Sequence, residues 1–403
     1  MAMKMPKAGI FLFTILLAGC TAKKPSAPPG TFAYDVDFLK SHKEIILLGR
    51  KGSPARVLVV GDYQARVMTS TAGGDNGNSY GWINYDLIRS GEKKPHMNPY
   101  GGEDRFWLGP EGGKYGLYFK KGDPFDFDHW QTPALIDTEP FDLIRADSLQ
   151  ASFGKSAEVV NWSGTVFQID IERTIRLIEK EEAEKEFGIA LGDLNAVAFE
   201  SVNAITNRGN EWQRKDGLLS IWILGMFRPT DATTIILPHR ASVDSYGITD
   251  DYFGAIPSDR IMKSDSVLLL KGDGKFRGKV GIAPGIAGSM AGSYDADKHV
   301  LTLVKFDVDP LASYVNSKWE MQEEPYRGDA VNAYNDGPQS DGSQLGPFYE
   351  LESSSPALEL KKGETLRHRH TTLHLEGIEE ELNNIALQTL GISLTALKQE
   401  FSR

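Results

Sequence analysis

From Phe167 to Leu177 apolar and polar residues alternate: Phe167, Ile169, Ile171, Ile175 and Leu177 are separated by Gln168, Asp170, Glu172, Thr174 and Arg176. A period of two is the signature of a strand with one buried face. Arg173 alone breaks the apolar side. Shorter runs of β type recur along the chain: Arg56–Val60, Gln64–Ser70, Ala196–Ile205, Leu218–Phe227, Thr233–Leu237, Ser266–Leu270, Val300–Val308, Phe348–Leu351 and Thr365–Leu375. Turn signals fall between them at Asn207-Arg208-Gly209, Lys271-Gly272-Asp273-Gly274, Asn335-Asp336-Gly337 and Lys362-Gly363. No stretch between residues 50 and 375 sustains a 3.6-residue period. With no internal repeat and no mid-chain linker, the economical reading is an all-β sandwich of unusual size. Asp37–Leu48 reads as a short opening helix, and Ile378, Leu382, Ile385 and Ala386 predict one or two helices at the tail. The block Glu179–Glu186 is a solvated charge run in a loop or a single helical turn.

Composition excludes several function classes. At 403 residues, 40% of them hydrophobic, the chain can bury a large core, as two or three average domains or as one large β architecture. A net charge of −11 argues against wrapping nucleic acid. One cysteine rules out an internal disulfide and any metal site built on cysteine pairs. That cysteine, Cys20, follows basic Lys4 and Lys7 and an apolar run from Ala8 to Ala18, ending Leu17-Ala18-Gly19-Cys20. The run is too short for a mature membrane span but suits a signal peptide, and its end is similar to a bacterial lipobox. The expectation is a signal peptide at 1–19, then acylated Cys20 with a Pro- and Ser-rich tether through residue 33. The chain would then sit in the cell envelope, anchored to membrane through the N-terminal lipid. Thr21 after the cysteine favours the outer membrane by resemblance to enterobacterial sorting, with the domain facing the periplasm or the exterior.

Three segments carry candidate chemistry. Residues 101–113, GGEDRFWLGPEGG, have glycines at both ends and project Arg105, Trp107 and Glu111 between them; a glycine-rich loop of this kind lets backbone approach a ligand, and the alternative is a tight hairpin with a charged tip. In Phe348-Tyr349-Glu350-Leu351-Glu352, strand geometry puts Glu350 and Glu352 on one face about 6–7 Å apart, where two carboxyls can raise one another's pKa and one can serve as a base. His368, His370 and His374 share one face of another strand, open to acid/base work, sugar contact, metal binding or a plain polar role. Trp107, Trp212 and Trp222 could stack on sugar C–H faces, and core packing is as good an account of Trp222. His239, and His129 beside Trp130, read as structural, and Asp126 and Asp128 as surface residues. No Gly-x-Ser-x-Gly elbow is present, so serine-hydrolase chemistry lacks support. No cofactor is expected, and metal dependence stays open, since Asp126 and Asp128 could hold Ca²⁺ through oxygen ligands.

The runs GGEDRFWLGPEGG (101–113), NAITNRGNEW (203–212) with LLSIWILGMF (218–227), and FYELESSSPALELKKGE (348–364) resemble bacterial proteins of the galactose-mutarotase-like superfamily, within it an uncharacterised lipoprotein family, over roughly residues 35–375. The resemblance implies an all-β galactose-mutarotase-like supersandwich with short helices at both ends. The domain is then expected at 34–376, and the helical pattern already noted puts a helical tail at 377–403. The resemblance further implies a carbohydrate ligand on the concave face. Aldose 1-epimerases of this fold use a glutamate base and a histidine acid. By position Glu352, then Glu350, matches the glutamate, and Arg105 an early sugar-contacting arginine. Asn203–Asn207 lies where epimerases carry an Asn-His-Pro histidine, but Arg208 and Gly209 follow here, leaving His239 or His370 as substitute acid. Trp107, Glu111, Asn203, Trp222 and Asn335 complete the expected substrate contacts. The functional expectation is acid/base sugar chemistry such as aldose 1-epimerisation, an isomerase activity; the alternative is a noncatalytic glycan-binding lipoprotein of a polysaccharide-utilisation system.

Overall fold

The computed structural model describes residues 27–241, 247–339 and 341–401. The expected signal peptide, Cys20 and the tether as far as residue 26 lie outside the described residues. Two large antiparallel sheets dominate. The larger has ten strands, in spatial order Ile261–Lys263, Val267–Lys271, Thr233–Pro238, Met290–Asp295, Val300–Phe306, Thr365–Glu376, Asn195–Asn207, Val166–Ile178, Gln150–Val160 and Asp142–Ala146. The smaller has six: Ile248–Thr249, Gly278–Ile282, Val331–Asn335, Tyr349–Ser354, Ser220–Phe227 and Arg105–Gly109. A third sheet of three strands, Ile46–Leu48, Arg56–Val60 and Arg66–Thr71, lies N-terminal to both in sequence.

The alternation at 166–178 is realised as read. Phe167, Ile169, Ile171, Ile175 and Leu177 are buried, and Arg173 points the same way, fully buried. It is held there because its guanidinium finds partners: Nη2 donates to Asp104, Nη1 to Asn203 Oδ1, and Nε to Ala65 O at 3.1 Å. A buried charge survives when paired and hydrogen-bonded. This pair therefore bolts the long strand to the residue just before the Arg105–Gly109 strand.

One core fills the space between the two large sheets. Phe106, Phe153, Phe167, Phe199 and Ile223 contribute to it, and a neighbouring cluster is built on Phe227, Leu270, Val304 and Leu351. The opposite face of the ten-stranded sheet is covered by helices Lys180–Phe187, Glu379–Leu390 and Leu394–Glu400, which bury Phe187, Leu382, Ile385 and Leu394. Three glutamates in the first turn of Glu379–Leu390 complement the helix dipole, and Gly391, at φ +71°, ends it in the left-handed conformation.

Several elements differ from the sequence reading. The opening helix runs Phe32–Lys40, and Ile46–Leu48 pairs as a strand with Arg56–Val60, so hydrophobic spacing alone had merged two elements. The charge block is a full helix, because Ala183 and Phe187 give it a side to bury. The glycine-rich 101–113 segment holds an edge strand, Arg105–Gly109, paired to Ser220–Phe227.

Candidate functional site

Alternation along the six-stranded sheet sorts its side chains into two sets. On Tyr349–Ser354 the odd positions face the ten-stranded sheet: Tyr349 hydroxyl meets Ser293 Oγ at 2.8 Å, and Ser353 Oγ meets both His368 and His370. The even positions, Glu350 and Glu352, project away from it. Register then gathers polar and aromatic groups on that outer face. Trp107 lies opposite Trp222, Glu350 lies between Met226 and Tyr334, and Lys279 is opposite Tyr334. Residues from the connecting segments, Glu111, Phe127, Trp130, Phe253, Trp319 and Leu345, roof this face and leave a cleft of about 80 Å³. A second chamber of about 240 Å³ adjoins it, sharing Glu111, Phe127, Phe253, Arg277, Lys279 and Trp319 and adding Tyr252 and Lys318.

Aromatic rings form much of the wall. Trp107 and Trp222 meet edge to face at 5.6 Å, and Trp130 and Trp319 stack at 5.5 Å. The Arg105 guanidinium lies 5.1 Å from the Trp107 ring and the Lys279 ammonium 4.5 Å from Trp222, both in cation–π range. Two ion pairs stand among them. Arg105 Nη2 donates to Glu350 Oε1, and Lys279 Nζ donates to Glu352 Oε2 at 3.1 Å, where Trp222 Nε1 also donates at 3.0 Å. Arg105 Nε and Trp107 Nε1 are buried and carry no hydrogen bond among the described residues.

The electrostatics follow from burial. Burial pushes the Glu350 carboxyl up, the Arg105 guanidinium opposing and Glu352 adding to the rise. Burial also pushes Glu111 up to about 7, against the pull of Lys279. Asp329 rises to about 6 by burial, with the Tyr252 hydroxyl it accepts from opposing. Burial works against the charge on Lys279, yet Glu352, Glu111 and Glu350 together hold its pKa above the ordinary lysine value. Gly281 permits part of this arrangement, since a Cβ there would lie 1.9 Å from Asp329 Oδ2.

Of the residues singled out from sequence, Arg105, Trp107, Glu111, Trp222 and Glu350 line the cleft together. Glu352 is fully buried beside them, under Lys279 and Trp222, and is not among the lining residues. The others lie elsewhere. His370 is buried between the sheets, where desolvation lowers its pKa to about 4 and that of His368 to about 3, so both are neutral. His374 is likewise internal, bonded to Glu103 at 2.6 Å and to Thr302. His239 sits at the end of Thr233–Pro238 with Nδ1 on Arg240 O, outside the cleft. Asn203 is buried against Arg173 and Ser201, and Asn335 braces the turn at Gly274 and Phe276. Trp212 packs edge to face on Phe167 in the core. Asp126 is half exposed and bonded to His129. Among the described residues no histidine lines the cleft or its second chamber, and no cluster of His, Cys, Asp and Glu could hold a metal ion.

Sequence reading missed Lys279, Arg277, Tyr334, Phe253, Trp130 and Trp319. Arg277 and Lys279 do alternate, a strand-face signal, but in a segment too short and glycine-rich to stand out. Phe253 and Trp319 come from irregular loops, where no periodicity announces an inward-facing ring.

The model of a family of unknown function (DUF6786) matches residues 30–401. Among curated proteins none is similar to this chain in sequence. Solved structures are similar in fold. The Slr1438 protein of Synechocystis sp. PCC 6803 superposes with a TM-score of 0.52 at 11% identity, over 83% of this chain and 96% of that one. A candidate aldose 1-epimerase of Escherichia coli K12 gives 0.50 at 10% identity, over 83% and 99%. A galactose mutarotase-like protein of Lactobacillus casei ATCC 334 gives 0.47 at 11%, over 83% and 100%. The fold is therefore mutarotase-like, as the sequence resemblance implied.

Proposed function

The chain belongs to a family of unknown function (DUF6786), and we propose that it binds carbohydrate in the cleft on the outer face of its six-stranded sheet. One observation carries the reading. Arg105 Nε and Trp107 Nε1 are buried polar donors without partners among the described residues, set among tryptophan faces beside two carboxylate–cation pairs. Buried donors call for acceptors. A sugar supplies hydroxyls that both donate and accept, and C–H faces that pack on indoles. The mutarotase-like fold supports the same reading by analogy only. Titrating the full chain with a panel of monosaccharides and oligosaccharides, read by tryptophan fluorescence, tests it. Quenching or a blue shift that saturates, and that Trp107→Ala weakens at least tenfold, is expected; a flat response across the panel refutes it.

A second reading adds catalysis of the aldose 1-epimerase type. The observation favouring it is that two cleft carboxyls, Glu350 and Glu111, are lifted from the ordinary range toward neutral pH, where acid/base catalysts work best. Without a histidine in the cleft, these two would supply base and acid. Magnetisation-exchange NMR on the α and β anomers separates the two readings. Faster exchange that Glu350→Gln abolishes supports catalysis, and binding without faster exchange leaves a glycan-binding protein. We further propose the envelope lipoprotein anchor at Cys20: labelled fatty acid should enter the full chain in bacteria and be lost in Cys20→Ser. No described helix is long and apolar enough to cross a membrane.

A further inference from the structure

The cleft's charges do not cancel by pairs. Arg105 faces Glu350, Lys279 faces Glu352, and on the rim Lys318 reaches Asp251 at 3.0 Å. Arg277, on the wall common to both chambers, has no carboxylate within salt-bridge distance among the described residues. Its guanidinium lies 3.8 Å from the centroid of the Phe253 ring and donates from Nη1 to the neutral Gln339 amide at 3.3 Å. A guanidinium held over a phenyl ring can still present N–H groups at its edge to an oxyanion. Glu111, which shares that wall, is held toward its neutral form by burial, so it does not offset the arginine fully at neutral pH. An acidic chain thus carries, on the wall of its aromatic cleft, one cation that no carboxylate contacts among the described residues; the buried Asp336 acts on it only through space and is itself bonded to the Tyr334 hydroxyl and the Gly346 amide.

We infer that the cleft selects an acidic sugar, whose anionic substituent, a carboxylate or a sulfate, sits on Arg277 while its ring packs on the cleft tryptophans. Planar guanidinium N–H groups match either oxyanion in two-point geometry. The inference rests on the carbohydrate reading and names the ligand class within it.

Calorimetric titration of the full chain with galactose, galacturonate and galactose 6-sulfate tests it. At least one acidic sugar should bind tenfold or more tightly than galactose, and the advantage should shrink with added sodium chloride. The two acidic arms tell a carboxylate from a sulfate. In Arg277→Gln the acidic-to-neutral affinity ratio should fall toward one, and in Arg277→Lys it should be partly kept. Arg277 is half-buried at the cleft wall rather than in the core, so both variants should fold. Galactose binding as tightly as both acidic sugars, or a ratio unchanged in Arg277→Gln, overturns the acidic-sugar inference and leaves carbohydrate binding intact. No heat from any of the three, with no fluorescence response to the wider panel, overturns both.

Discussion

Replacing Arg173 by methionine tests how the core positions the cleft. The arginine is wholly buried, and its guanidinium serves Asp104, Asn203 and the carbonyls of Ala65 and Asp104. Methionine fills comparable space without any donor. Asp104, itself wholly buried, would retain the Ser201 hydroxyl at 2.8 Å but lose the cation it is paired with. Breaking a buried pair on one side costs about 3–5 kcal/mol, since the survivor remains desolvated. That is a large part of the roughly 5–15 kcal/mol by which a folded protein is stable. Urea unfolding at pH 7 should show it as a lower midpoint at unchanged slope. Asp104→Asn strands the arginine instead and should cost a similar amount. The double variant removes both charges and should cost at least about 2 kcal/mol less than the sum. Because Arg105 follows Asp104 directly, loosening this anchor should also weaken sugar binding. A cost under about 1 kcal/mol for Arg173→Met, or additivity within about 0.5 kcal/mol, would refute the argument that a desolvated ion pair ties the sheets together.

Glu111 has its pKa raised above the unfolded value by burial, so its contribution to stability is present at acid pH and is lost as pH rises to about 7. Glu111→Gln should accordingly flatten the fall of the urea midpoint between pH 5 and 8, and a fall of unchanged steepness would contradict the assignment. Trp222→Phe removes the indole donor at 3.0 Å from the fully buried Glu352 and should cost about 1.5–3 kcal/mol in urea unfolding, the range for a hydrogen bond to a charged group. Gly102→Ala should destabilise by about 1–3 kcal/mol, because φ is +106° and the added Cβ would meet Arg66 Cδ at 2.5 Å and Val67 O at 2.9 Å; thermal unfolding reads this directly.

A strand was most legible where apolar and polar residues alternate strictly, one face on the core and the other in solvent. Val166–Ile178 came through with its faces in order, since burial on one side imposes period two on the residues themselves. Strands buried on both sides, Arg56–Val60 and Ser220–Phe227 among them, were legible only as continuous apolar runs, and one was not legible at all. Arg105–Gly109 is buried at every position and reads as a glycine-rich loop, because a strand between a core and a roofed cleft has no solvent face to mark its period. The histidines at 368, 370 and 374 showed the converse failure. Alternation placed them correctly on one face, but nothing local says whether that face looks toward a cleft or toward another sheet.

Sequence by itself determined the all-β class and the helical tail, and it singled out Arg105, Trp107, Glu111, Trp222 and Glu350 as candidates alongside residues that lie elsewhere. Tertiary structure alone decided which of them meet. Lys279 joins Glu352 across 73 residues and Arg105 joins Glu350 across 245, distances over which local pattern carries no information. It also decided their charge states, because a carboxyl's pKa depends on the depth and company that the packed sheets and their loops impose, and neither is a property of the residue's neighbours in sequence.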